Sequence, residues 1–139
     1  MNDNEPARRL EISFDGGVVI ERLLITPCGL WRYRLEQPPL VSRDADFGDV
    51  VQATANTSGV LIFQRVVEKS SYVPHRAMFY RDLRGSFDVM MLLQRVQAEG
   101  GYGEIATSDL LRAYLPADSA YNAEIESELT RLVEAFGSH

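Results

Sequence analysis

The hydrophobic period of this chain changes once, at Arg84-Gly85. Before that point, apolar residues alternate with polar ones in short runs broken by Gly, Pro and Asn. After it, they recur every three or four residues. A period of two buries one face of a strand, and a period near 3.6 buries one stripe of a helix. The chain must therefore combine a β-rich first half, 9–84, with a helical second half, 85–139. That places it in the α+β class. With 139 residues it suits a single domain with a core of its own, needing no disulfide or metal staple.

Six extended runs are expected in the first half. Leu10, Ile12 and Phe14 alternate with charged and polar neighbours, and Gly16-Gly17 then signals a two-residue hairpin. The second run covers 18–25, with Leu23-Leu24-Ile25 buried on both faces, and Pro27-Cys28-Gly29 breaks it. Trp31, Tyr33 and Leu35 alternate with Arg32 and Arg34 up to Pro38-Pro39, where the ladder loses a donor. On a sheet this alternation puts the aromatics in the core and the arginines in solvent. After a loop over 41–47, strands over 50–55 and 60–68 flank the turn Asn56-Thr57-Ser58-Gly59. The fifth places Leu61, Phe63, Arg65 and Val67 on one side. The sixth run, 72–80, contains Pro74, which marks an edge or a bulge. Together the six are expected to form an antiparallel, barrel-like sheet.

In the second half, Ser86 is an N-cap and Asp88 lies in the first helical turn, where the helix dipole favours an anion. The helix over 87–99 has apolar residues on more than one stripe and is expected to be largely buried. Gly100-Gly101 ends it. Residues 110–115 read as a strand or, nearly as well, a helix, closed by Pro116. The final helix, 120–136, is capped by Asp118 or Ser119. Tyr121, Ile125, Leu129, Leu132 and Phe136 form its apolar stripe. Glu124, Glu126, Glu128 and Glu134 lie off that stripe and should point away from the sheet.

Charge narrows the partners. The net charge is −6 and is unevenly spread: 11 acidic and 11 basic residues over 1–86 cancel, while 9 acidic and 3 basic residues over 87–139 hold the whole excess. An acidic second half repels a phosphate backbone and attracts a basic protein. The expected partner is therefore a basic protein, with neither nucleic acid nor membrane. No run of 18 apolar residues exists to span a bilayer. The polar stretch 1–9 lacks a signal-peptide core, and one cysteine, Cys28, suits a reducing compartment. The expected location is the cytoplasm.

The search for chemistry yields no catalytic residue, metal site or cofactor. His75 and His139 are the two histidines, and nothing near His75 in sequence has metal-ligand spacing. Asp44, Asp46 and Asp49 start like a calcium loop, but its sixth position is Asp49 instead of Gly and its twelfth is Ala55 instead of Glu. Neither Gly16-Gly17 nor Gly100-Gly101 stands between a strand and a helix as a phosphate loop does. Tyr72, His75 and Arg76, around Pro74, are the first small polar cluster to inspect. Tyr121, Glu124, Glu126 and Glu128 are the second, with Tyr72 and Tyr121 as anchors for a partner if they are exposed.

Five sequence stretches carry a resemblance: Glu21-Arg22-Leu23; Trp31-Arg32-Tyr33-Arg34-Leu35 with Pro38-Pro39; Phe47-Gly48-Asp49-Val50-Val51; Phe63 through Ser70; and His75-Arg76. Over residues 18–80 the chain resembles an uncharacterised bacterial family catalogued as domain of unknown function 4265. Ser71 stands where that family has Gly. The resemblance implies a bacterial cytoplasmic protein and a fold, and no reaction. Three classes of function remain open. The first is a protein-binding module, such as an immunity-type inhibitor or accessory protein. The second is a ligand-binding protein or enzyme with an unrecognised pocket. The third is a nucleic-acid module on the β half, against which the charge argues.

Overall fold

The computed structural model describes residues 5–79 and 81–137, with side chains through residue 135. Tyr80, His139 and the Phe136 side chain lie outside the described residues. The chain forms two compact units, Met1–Ser70 and Ser71–His139. The change of architecture thus falls at Ser70-Ser71, earlier than the change of hydrophobic period, because the sixth strand pairs within the second unit.

The first unit is a closed barrel of five strands: β1 (Arg8–Phe14), β2 (Val19–Gly29), β3 (Arg32–Leu35), β4 (Val50–Ala55) and β5 (Leu61–Glu68). Neighbours in sequence pair antiparallel, and β1 closes on β5 in parallel through Ile12↔Leu61 and Ser13↔Ile62. Closure in parallel follows from the strand count: in a meander of five strands the first and last run the same way. The inward residues Ile12, Phe14, Leu23, Ile25, Leu35, Val51, Ala53 and Leu61 fill the barrel, with the Phe14 and Phe63 rings 5.3 Å apart.

Three local expectations are corrected here. The β1–β2 connection is a short 3-10 turn over Asp15–Gly17, where Asp15 adopts φ 54° and donates its N–H to Asp44 Oδ2 at 3.1 Å. It is not a two-residue hairpin. Pro27-Cys28-Gly29 does not end β2, which absorbs it as a register shift between Pro27 and Gly29. A bulge is how a strand takes in residues its ladder cannot pair. On β5, a register shift opposite Gln52 and Ala53 flips the phase after Phe63. Val66 therefore packs on the core, and Arg65 turns out to donate from Nε to Gln52 Oε1 at 3.0 Å.

The second unit orders β6 (Val73–Met78), α1 (Phe87–Ala98), β7 (Tyr102–Thr107), β8 (Leu110–Leu115) and α2 (Asn122–Gly137) along the chain. The sheet order is β6-β8-β7, with β8 antiparallel to both neighbours. The outer strands β6 and β7 thus run parallel, joined by α1, and β8 slots between them. A central strand is covered on both faces, so Leu111 through Leu115 are all buried. That is why its sequence shows no alternation. Pro74 sits on the edge strand β6, as its missing N–H requires. β7 was not expected.

The core of this unit joins Val89, Leu92 and Val96 of α1 to Leu111, Ala113 and Leu115 of β8 and to Tyr121, Ile125 and Leu129. Helix α1 begins as expected: Ser86 Oγ accepts the Val89 N–H at 3.3 Å. It ends with Gly100 at φ 83° and the Gly101 N–H donating to Val96 O at 2.9 Å, a Schellman closure. Gly101 is forced: a Cβ there would lie 2.3 Å from Tyr114 O. Contrary to expectation, α1 is buried along one stripe only.

Candidate functional site

In the second unit, α2 gathers most of the candidate residues. His75 follows Pro74 on β6 and faces the helices, 6% exposed. Its Nδ1 meets Glu126 Oε2, and its Nε2 lies 2.8 Å from Asn122 Oδ1. Asn122 and Glu126 are one helical turn apart, so one face of α2 grips the ring at both nitrogens. The Asn122 amide is oriented independently, because its NH₂ donates to Pro116 O at 2.9 Å and Ser119 O at 3.1 Å. Arg76 does not join this cluster. As the next residue on the strand it points to the opposite face, and it is exposed. Tyr72 is half-buried.

Tyr121 is not a surface anchor; it is 1% exposed and belongs to the core. Its O–H donates to Glu128, and the Arg95 guanidinium lies 4.3 Å from its ring centroid. Burial, and then the Glu128 carboxylate, push the phenol well above its ordinary range. Arg95 also pairs with Glu99 at 3.2 Å and with Glu124 at 3.4 Å. The acidic face of α2 is therefore not free as expected: Glu124, Glu126 and Glu128 each answer a group of the same unit. Spacing could have suggested the pairs Asn122–Glu126 and Tyr121–Glu128. Nothing in the sequence pairs His75 or Arg95 with α2, since those contacts need the fold.

The second unit also offers an apolar row to solvent. Phe87, Met90 and Met91, at i, i+3 and i+4 on α1, are 71%, 52% and 49% exposed. Beside them an open groove of about 580 Å³ runs between α1 and α2. Met91, Leu92, Leu132 and Ala135 line it together with the charged Asp88, Arg95, Glu128 and Arg131. On the far side of α1, a second groove of about 320 Å³ borders the start of β7.

In the barrel unit the carboxylates hold loops. Glu21 accepts the N–H groups of Leu40, Val41 and Ser42 at 2.6, 3.2 and 2.9 Å. Asp49, fully buried, accepts from Asp46 N and Ser70 N at 2.9 and 2.7 Å. Trp31 is not in the core: it precedes β3 at φ 59° and is 44% exposed. Cys28 is half-buried.

No family model and no curated protein matches this sequence. The chain is similar in fold to a hypothetical protein from Neisseria gonorrhoeae of known crystal structure, at 16% identity and a TM-score of 0.58, over 95% of this chain and 90% of that one. Among the described residues, no helix is long and apolar enough to cross a membrane.

Proposed function

We propose that this is a protein-binding module of the bacterial cytoplasm, a member of the uncharacterised family it resembles, whose second unit docks a basic partner protein. The observation that carries the reading is the row Phe87, Met90 and Met91 on α1. Single exposed apolar residues are ordinary, but three large ones at helical spacing beside an apolar groove form a contiguous patch. Such side chains are the anchors that fix affinity, while the surrounding charge selects the partner and speeds its approach. Residues 87–139 carry the whole net charge of −6, which suits a basic surface. An immunity-type inhibitor or an accessory subunit would work in this way.

Capture from native cells with the full chain should retain one basic protein. Phe87→Asp with Met91→Asp should weaken its binding about tenfold or more. Glu124→Lys with Glu134→Lys should slow its association. A partner indifferent to both pairs, or retention of a metabolite instead, would count against the reading.

One observation favours a nucleic-acid reading of the barrel. Exposed Trp31 adjoins Arg32, which lies in register with Gln52 and, across it, Arg65. Bases stack on such aromatics when cations share their surface. Met1–Ser70 nonetheless holds ten acidic and eight basic residues, so protein binding remains the preferred reading.

A further inference from the structure

Trp31 departs from the alternation of its strand. Tyr33 and Leu35 pack in the barrel core, and a regular strand would turn Trp31 the same way, two residues before Tyr33. Its backbone instead takes φ 59°, a region that bulky residues rarely adopt. The indole is left 44% exposed, next to Leu30 at 67%. The strained backbone is held in place, because the Trp31 carbonyl accepts the Ala53 N–H of β4 at 3.0 Å. Strain that the surrounding structure enforces in this way gathers at ligand sites. The face beside Trp31 is cationic. Arg32, Gln52 and Arg65 lie in register across β3, β4 and β5. Thr54 and Gln64, hydrogen-bonded to each other at 3.4 Å, continue that face. β3 and β4 contain no acidic residue, and β5 has one, Glu68, at its last position. Arg34 is engaged by Glu36 at 3.0 Å, but Arg32 and Arg65 are exposed and pair with no carboxylate among the described residues.

We propose that this face is a second binding site, for single-stranded nucleic acid. One base stacks on Trp31 while Arg32 and Arg65, about 10 Å apart across two strand spacings, meet backbone phosphates. Such a strand needs an exposed flat side chain and cations on one surface, and here they adjoin. An acidic peptide would use the arginines and leave the indole idle. A duplex keeps its bases inside, out of reach of Trp31, and two arginines are too few to hold its backbone. The net charge of −6 opposes any polyanion at long range, but salt screens that repulsion beyond about 8 Å, whereas the arginines act at contact. The activity belongs to the first unit alone and is independent of the protein-binding reading.

Trp31 is the single tryptophan, so its fluorescence reports on the site directly. Titration of the full chain with a short oligothymidylate at low salt should quench it saturably. The logarithm of the binding constant should fall against that of the salt concentration with a slope of about −1.4, for two phosphates that shed their counterions. Arg32→Gln should bring the slope to about −0.7. By anisotropy of a labelled oligothymidylate, Trp31→Gly should weaken binding about tenfold or more. That variant should keep its fold, since glycine suits the left-handed backbone, and Trp31→Phe should retain most of the binding. Absence of quenching, or unchanged affinity in Trp31→Gly, would overturn the proposal. Equal quenching by polyglutamate would assign the face to an acidic protein instead, and equal affinity for thymidine monophosphate would assign it to a free nucleotide; either result refutes strand binding.

Discussion

At the scale of single residues, buried polar groups carry more than their number suggests. Arg112, 3% exposed on β8, donates from Nε to Glu104 Oε2 at 2.9 Å, and the Tyr102 O–H donates to Glu104 Oε1 at 2.8 Å. Removing one member of a buried ion pair strands the other charge. Glu104→Ala should cost about 3 kcal/mol in chemical denaturation; a loss near zero would show that Arg112 does not depend on it. In the barrel, Asp49→Asn takes an acceptor from one of two N–H groups and should cost about 2 kcal/mol. A pH test is available at Glu99, whose carboxyl is held below its ordinary range by the Ser119 hydroxyl and then by Arg95. A depressed carboxyl adds stability above its unfolded range and gives it up as pH falls through the folded value. Stability lost below about pH 4.5 should therefore be smaller in Ser119→Ala than in the native protein. An unchanged acid limb would contradict that assignment. The sequence names His75, Glu126, Tyr121 and Glu128 but not that they pair, His75 with Glu126 and Tyr121 with Glu128. His75 and Glu126 are 51 positions apart, and the packing of α2 against β6 brings them together.

At the scale of elements, legibility followed how evenly a segment is covered. β1, β4 and the turn at Asn56 are plain because apolar and polar residues alternate along both strands and Asn56-Thr57-Ser58-Gly59 has turn chemistry. β8 was ambiguous because both its faces are buried. β7 is not legible because Gly101 just before it and Gly103 within it look like turn residues, whereas Gly103 lets α1 approach the strand. Helix α1 was read as largely buried because apolarity of a side chain does not reveal whether it packs inward or waits for a partner. That difference is measurable. Leu92→Ala should cost about 2–5 kcal/mol, while Met91→Gln and Phe87→Gln should each stay within about 0.5 kcal/mol. Comparable losses at all three positions would mean that the exposed row is structural. Gly101→Ala should destabilise more than Gly103→Ala, because the first added Cβ meets backbone and the second meets the movable end of Leu93.

At the scale of the whole molecule, the partition of charge outlasts every local correction. The second half remains acidic although Glu124, Glu126 and Glu128 are engaged within it, so long-range attraction still favours a basic partner. At physiological salt the protein should not retain duplex DNA, having no basic stripe with which to release counterions; salt-sensitive micromolar binding of a random duplex would revive the nucleic-acid reading. The central claim is that α1 presents a docking surface. A photoreactive amino acid at Phe87 tests it most directly, in native cells, with a second chain labelled at the exposed turn residue Thr57 as control. One basic protein cross-linked from position 87 and absent from position 57 is the predicted result. No cross-link, or the same products from both positions, would contradict it.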